Sequence, residues 1–209
     1  MPKKTASQLV SLSVVVCIIA LDQWLKIWVK TSMLLGERIQ LVGDWANLLF
    51  VENKGMAFGW DGIPTFVLSL LRIAACIVIA LYMRVRIRQG MSLCGTIVLS
   101  LILAGAMGNI IDNALYGLVF TQSSTWQVAE LVPIGQGYGA AFAGRVVDMF
   151  YFPIINTTLP DALGGGEFIF FSPIFNLADA AITVGVILAI IFHKHISPLT
   201  EGDAPKESE

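Results

Sequence analysis

Four stretches of the chain are apolar for long enough to be read as helices: Ser7–Val29, Pro64–Met83, Ser92–Leu115 and Asn176–Phe192. At a rise of about 1.5 Å per residue, roughly 20 residues cross a hydrocarbon core of about 30 Å. Backbone groups in lipid find no water, so a helix, which bonds them internally, is the expected form of such runs. Between the first two runs, residues 30–63 mix polar and apolar positions. Ile39 and Leu41 alternate with polar neighbours and Trp45–Val51 is mostly apolar, which predicts a small sheet or a surface-lying segment rather than a further span. Residues 116–175 make a connection far longer than the usual loop of about 4–6 residues. Its aromatic residues, among them Trp126, Tyr138, Phe142, Phe150 and Tyr151, argue against simple disorder; for 118–143 they fit either an anchor at the headgroup boundary or a working part. The polar stretch Pro198–Glu209 is expected to be a disordered tail. The expectation is a mostly α membrane protein, one domain over residues 1–197. It has four transmembrane helices, a small extracytoplasmic β-containing region and a long outer loop between helices 3 and 4.

Composition agrees. Of 209 residues, 56% are hydrophobic and 13% charged, with mean hydropathy +0.76; soluble domains carry about 25% charged residues. The net charge of −2 offers no basic footprint for nucleic acid. Lys3 and Lys4 before the first run resemble the start of a secretory signal, but the run continues to Val29 with no small-x-small cleavage site after it. Lys3, Lys4, Arg84, Arg86, Arg88 and Lys194 all fall at one set of span ends, so the positive-inside rule puts both termini in the cytoplasm and the two long connections outside. Cys17, Cys76 and Cys94 lie in apolar runs without CxxC spacing and are expected to be buried filler.

Charged residues inside spans cost several kcal/mol and mark candidate sites. Asp22 and Lys26 are four apart on one helix face and should pair, either as a structural clasp or as part of the chemistry. Arg72 needs a partner facing the bundle, for which Asp112 is the candidate. In the third run, Ala104, Gly105, Ala106 and Gly108 allow a neighbouring helix to approach closely, and Asn109 and Asp112 can point into that same interior. The fourth run opens Phe175-Asn-Leu-Ala-Asp179, where Asn176 can cap and Asp179 can sit as a first-turn companion. Asp148, flanked by Val-Val and Met-Phe, needs a bonding partner. Two acids meeting at the outer boundary could share a proton, one taking a proton from water while the other polarises a carbonyl. His193 and His195 follow the last span, no HExxH is present, and Gly135-Gln-Gly-Tyr-Gly139 lacks the lysine of a phosphate loop, which leaves acid chemistry by aspartates.

Four pieces resemble, in order, the lipoprotein signal peptidases, or signal peptidase II: Asp22-Gln-Trp-Leu-Lys26, Glu52-Asn53-Lys-Gly55-Met-Ala57-Phe58, Gly108-Asn109-Ile-Ile-Asp112, and Val146-Val-Asp148 with Phe175-Asn176-Leu-Ala-Asp179. The resemblance implies an aspartyl peptidase of the bacterial inner membrane, and the protein is expected to be a monomer. It would cut prolipoproteins just before the diacylglyceryl-modified cysteine, with membrane lipid as its surroundings and no metal or organic cofactor. The family's catalytic aspartates fall on Asp148 and Asp179. Asn53, Gly55, Asn109, Asp112 and Asn176 match positions that shape the site and hold the substrate, and Asp22 and Lys26 match the first-helix polar pair. The family fold also implies a small extracytoplasmic sheet and a surface helix over 30–63. Two departures stand out. Asn113 follows Asp112 where the family has arginine, so that cation is expected from elsewhere, with Arg145 the candidate; and insertions occupy 116–145 and 156–166. The competing class is a small transporter or scaffold using Asp22, Lys26, Arg72, Asp112 and Asp179 as an ion path, disfavoured by the lack of repeats and broken-helix pairs.

Overall fold

The computed structural model describes residues 3–53, 65–159, 166–170 and 172–196. Among these, three helices are long and apolar enough to cross a membrane, over Lys4–Ser32, Phe66–Arg88 and Leu93–Val119. The first is α1, Lys3–Ser32, and the second α2, Thr65–Arg88. A tight turn at Gly90, whose φ of 90° suits glycine, ends α2 by bonding the Met91 amide back to the Arg86 carbonyl. Ser92 then caps α3, Leu93–Ile111, its Oγ accepting from the Gly95 amide at 3.0 Å. The helix runs on as a π-helical turn, Asp112–Tyr116, and a last short turn, α4, Gly117–Val119.

The fourth apolar run forms α5, Leu177–Ile191, followed by α6, His193–Ile196. At 15 residues α5 spans about 22 Å, shorter than the full crossing predicted for Asn176–Phe192. It packs mainly on α3, and α3 packs on α1 and α2, so α3 is the central helix. Glycine makes this possible. A Cβ at Gly105 would lie 2.2 Å from the Ala178 carbonyl oxygen, and one at Gly108 would lie 2.7 Å from Asp22 Oδ2. Apolar residues on the outward faces, such as Leu12, Val16, Trp24, Leu71, Val78 and Ile190, are exposed, as lipid-facing positions must be. Cys17 is among the exposed positions and Cys76 and Cys94 are half-buried, all three as free thiols. The buried-filler reading of the cysteines is therefore corrected: on an outward helix face an apolar run points to lipid, not to a protein core.

At the far end of α1 sits an antiparallel sheet of order β1-β2-β3-β6, built from β1 Arg38–Val42, β2 Ala46–Asn53, β3 Val146–Tyr151 and β6 Ile174–Phe175. The sheet predicted for 30–63 is thus present. The surface helix implied there would have to fall in 54–64, outside the described residues. A hairpin of β4 Ile155–Leu159 and β5 Gly166–Phe170 stands in the second insertion. Alternation along β3 decides what faces where: Val147 and Met149 join Val29, Met33, Leu48, Phe50, Tyr116 and Phe120 in a buried cluster that ties the sheet to α1. Asp148 takes the opposite face. The tail predicted over 198–209 and residues 160–165 of the second insertion lie outside the described residues.

The first insertion is held down rather than loose. Leu35 N bonds Ser124 O at 2.9 Å, Ala129 N bonds Lys30 O at 3.2 Å, and Phe120 pairs with Leu131 as a β-bridge. Phe120, Ser123 and Ala129 are buried while Trp126, Leu131 and Ile134 stand out into the surroundings, Trp126 at 82% exposure.

Candidate active site

Asp148 comes from the middle of β3, opposite Val51 in the ladder, and Asn53 lies two residues further along β2 on the same face. That diagonal places Asn53 Nδ2 3.2 Å from Asp148 Oδ2. Asp179 comes from the first turn of α5. Asn176, extended at φ −113° and ψ 179°, is the cap residue: its Oδ1 accepts from the Asp179 amide at 2.9 Å. Its other end is the link between the two acids. Asn176 Nδ2 donates to Asp148 Oδ1 at 2.7 Å and to Asn109 Oδ1 at 3.2 Å, while Asn109 Nδ2 donates to Asp179 Oδ1 at 2.7 Å. Turning either amide over would set donor against donor or acceptor against acceptor, so the network fixes both. Asp148 is nearly fully buried and Asp179 half-buried.

Burial, and then the neighbouring Asp179, push the Asp148 carboxyl up to about 7, although the hydrogen bonds from Asn53 and Asn176 and the more distant Lys26 act the other way. One buried carboxyl that keeps its proton near neutrality, beside a second carboxylate within electrostatic reach, is an arrangement suited to moving one proton.

Below the acids lies a second buried cluster. Lys26 Nζ is 2.8 Å from Asp22 Oδ2, 2.7 Å from Asp112 Oδ2 and 2.9 Å from Asn109 Oδ1, with all three charged side chains fully buried. The ammonium donates to Asn109 Oδ1 and is ion-paired with both carboxylates. The predicted Asp22 and Lys26 pair therefore makes up two members of a triad, completed by Asp112, that also orients Asn109, and through it Asp179. Asp22 does more: its Oδ1 accepts from the Ala178 amide at 2.9 Å, so a carboxylate of α1 caps the start of α5. Gln23, quoted only as part of a motif, closes the cluster by donating to Asp112 Oδ1 at 2.8 Å and accepting from the Tyr116 hydroxyl at 3.1 Å.

Asp148, Asp179, Asn53, Asn109, Asn176, Asp112, Asp22 and Lys26 thus form one connected set at the sheet end of the bundle. Gly55 lies outside the described residues. Two expectations need correction. Arg72 bonds Asn113, its Nη1 donating to Oδ1 at 2.9 Å, because Asp112 is taken up by Lys26 and Gln23. Arg145 does not stand in for the missing arginine beside Asp112; its Nη1 approaches Glu52 Oε2 at 3.4 Å and its guanidinium lies 5.9 Å from the Tyr138 ring.

Sequence reasoning missed the role of Lys30, Glu52 and Ser123. Lys30 is ion-paired with Glu52 and donates to Ser123 Oγ at 2.9 Å, and its ammonium lies 5.5 Å and 5.2 Å from the rings of Phe120 and Tyr138. The signal was the spacing: Asp22, Lys26 and Lys30 are each four apart and so share a face. A cavity of about 310 Å³ lies at the opposite end of the bundle, where Lys4 and Ser7 meet Gly90, Met91 and Ser92; none of the predicted site residues lines it.

The sequence profile of the family described as Signal peptidase (SPase) II matches residues 14–194. Among curated proteins, the chain is 46% identical over 197 residues to a lipoprotein signal peptidase of Porphyromonas gingivalis, covering 91% of this chain and 85% of that one. It is 35% identical over 187 residues to one from Amoebophilus asiaticus, covering 83% and 72%, and 32% identical over 179 residues to one from Chlorobaculum parvum, covering 85% and 91%. Two solved structures, each described as a bacterial membrane enzyme, share the fold. One has TM-score 0.59 at 23% identity over 95% of this chain and 93% of that chain, the other 0.58 at 24% over 87% and 90%.

Proposed function

The chain belongs to the signal peptidase II family, a bacterial multi-pass membrane protease family, and from that membership we propose that it hydrolyses prolipoproteins before their diacylglyceryl-cysteine by an aspartate pair, Asp148 and Asp179. The observation that carries this reading is the bridging of the two carboxyls by Asn176 and Asn109, where the end of α3 and the start of α5 meet the middle of β3. Asp148 keeps its proton and polarises the scissile carbonyl. The other carboxylate takes a proton from water as the water oxygen bonds to the carbonyl carbon. The tetrahedral intermediate then breaks its C–N bond, the amine leaving with a proton relayed through the pair. Asn53, beside Asp148, and Gly55 hold the substrate backbone; Asp22, Lys26, Asn109, Asp112 and Asn176 keep the pair in place.

α5 is the fourth crossing, extended by residues on either side, and both termini face the cytoplasm, which puts the aspartates near the outer face. Residues 1–197 act as one domain and the protein as a monomer. The diacylglyceryl chains stay in the bilayer, so their binding energy positions the peptide at its boundary. The test uses the full-length protein in detergent with lipidated and unlipidated precursor. Asp148→Asn and Asp179→Asn should each abolish cleavage of the lipidated form while leaving the thermal melt cooperative. Full activity in Asp148→Asn would remove it from the mechanism; cleavage of neither precursor by wild type would favour the scaffold reading.

A further inference from the structure

We infer that the first insertion is a membrane-surface anchor: Trp126, Leu131 and Ile134 enter the headgroup boundary of the leaflet at the sheet end of the bundle. Its depth follows from what it is tied to. Leu35 N bonds Ser124 O at 2.9 Å and Ala129 N bonds Lys30 O at 3.2 Å, so residues 124–129 cross the last turn of α1. Towards the other end of the segment Phe142 meets Phe66, in the first turn of α2, edge to face with ring centroids 6.2 Å apart. Two spanning helices thus bracket the insertion at the same end of the bundle. The apolar stretch of α1, Lys4–Ser32, has 29 residues and is therefore about 43 Å long. A hydrocarbon core with both headgroup layers measures about 40–45 Å. With the charged start of α1 in one headgroup layer, its last turn lies in the other, and the segment laid across that turn lies there too.

Composition and exposure decide what the segment faces. From Gly117 to Gly144 the only charged side chain is Glu130, whereas roughly a quarter of the positions in a soluble domain are charged. Leu131 and Ile134 are 70% and 81% exposed, more than most apolar residues on the outward helix faces, and Trp126 more still. The backbone that presents them is fixed. Thr121 N bonds Glu130 O and Glu130 N bonds Thr121 Oγ1, both at 2.9 Å, and Ser124 Oγ accepts from the Gln127 amide at 3.0 Å. Ser123 and Ala129 are buried in the same stretch, so the exposure belongs to one side of an ordered segment. That side continues a surface already turned to lipid: Trp24, Ile27 and Trp28, spaced along one face of α1 just before the crossing, are exposed as well. Tryptophans gathered where a span meets the headgroups are the pattern of an interfacial belt. A bound peptide would account for three exposed apolar side chains but not for the want of charge along the whole segment; lipid accounts for both.

The experiment places the full chain in vesicles of phosphatidylglycerol and phosphatidylcholine, the latter brominated either at the headgroup end of its acyl chains or deep within them. Trp126 is one of five tryptophans, and its emission is read as the difference between wild type and Trp126→Phe, which keeps an apolar ring. That emission should be quenched at least about threefold more by the shallow bromines than by acrylamide in the water, and more by the shallow bromines than by the deep ones. Leu131→Asp combined with Ile134→Asp should keep the melt cooperative while raising acrylamide quenching of Trp126 roughly threefold, because charge draws the segment out of the boundary. Strong acrylamide quenching of wild-type Trp126 with none from either bromolipid would put the segment in water and overturn the inference. Shielding from every quencher would overturn it in favour of a contact with a second copy of the chain, and acrylamide access lost only on adding lipidated prolipoprotein would overturn it in favour of a substrate surface. Stronger quenching by the deep bromines would refute the boundary depth. Unchanged quenching in the folded Asp variant would remove Leu131 and Ile134 from the anchor; if that variant does not fold, the Trp126 comparison decides alone.

Discussion

Gly105→Ala adds one methyl group at the closest approach of α3 and α5, and the geometry sets the size of its effect. The new Cβ would start 2.2 Å from Ala178 O, 2.7 Å from Ile182 Cγ1 and 3.1 Å from Ala178 C. Ile182 can rotate; the Ala178 carbonyl is backbone and cannot. Bringing the contact out to an ordinary separation of roughly 3.4 Å requires the start of α5 to retreat by about 1 Å. That displacement would stretch the 2.9 Å bond from the Ala178 amide to Asp22 and carry Asp179 with it. Overpacking of this kind costs about 1–3 kcal/mol, or a melting temperature lower by several degrees for a chain of this size. A misplacement of about 1 Å at a reacting group can cost on the order of 10²-fold in rate, so kcat should fall far more than stability does. The assay is cleavage of lipidated precursor beside a thermal melt, with Gly139→Ala as control. There the nearest atom to a new Cβ is Ala143 Cβ at 3.4 Å, ordinary contact, and both readouts should stay near wild type. Gly105→Ala protein with kcat within about twofold of wild type would show that the α3–α5 spacing does not govern the aspartates.

Three further outcomes follow from the same network. Lys26→Met leaves Asp22 and Asp112 buried without their cation and should destabilise the protein by about 3–5 kcal/mol in a thermal or denaturant melt; adding Asp112→Asn to it should recover part of the loss. The kcat profile should fall on its alkaline side near pH 7, where Asp148 gives up its proton. The same shift has a stability sign: Asp148 sits near 7 when folded and about 3.9 unfolded, so the folded state binds the extra proton between those values and stability declines as pH rises through that window. Asp148→Asn should abolish that decline in melts from about pH 4 to 8. Glu52→Gln deprives Lys30 of its charge partner and should loosen the first insertion from α1; the Thr121 and Val132 amides, bonded to Glu130 O and Val119 O, should exchange roughly tenfold faster by mass spectrometry.

What could be read from the residues was whatever rests on a local pattern. Asn176 and Asp179 lie within one turn, so capping chemistry alone sets their relation, and the two-residue alternation of β3 alone puts Asp148 on the face opposite Val147 and Met149. Asp22 and Lys26 were legible for the same reason. Choices among equivalent distant partners were not. Arg72 could have met either Asp112 or Asn113, neighbours on the helix, and only the prior claim of Lys26 on Asp112 decides between them. Arg145 turned to Glu52 because β2 pairs beside β3, a register that no single stretch of sequence encodes. Lys30 read as the end of a span, yet its partners Glu52 and Ser123 lie 22 and 93 residues away. The cysteine reading failed on a different point: in a membrane chain an apolar run says nothing about which face meets protein and which meets lipid.

The π-helical turn at Asp112–Tyr116 constrains where this chain can gain or lose residues. Its wider winding lets Asp112 reach α1, Asn113 reach both α2 and the start of β3, and the Tyr116 hydroxyl reach Gln23. Deleting one residue there would rotate everything beyond it by about 100° and aim those groups at the wrong neighbours. A few residues further on, the chain can lengthen or shorten at less cost at exposed positions such as 125–127 and 133–134, which lie between or just past the bonds that tie Ser124 to Leu35, Ala129 to Lys30 and Val132 to Val119. Insertions and deletions are therefore expected to accumulate at those exposed positions and to be absent from Asp112–Tyr116, a division that a deletion scan through 110–135 would expose directly.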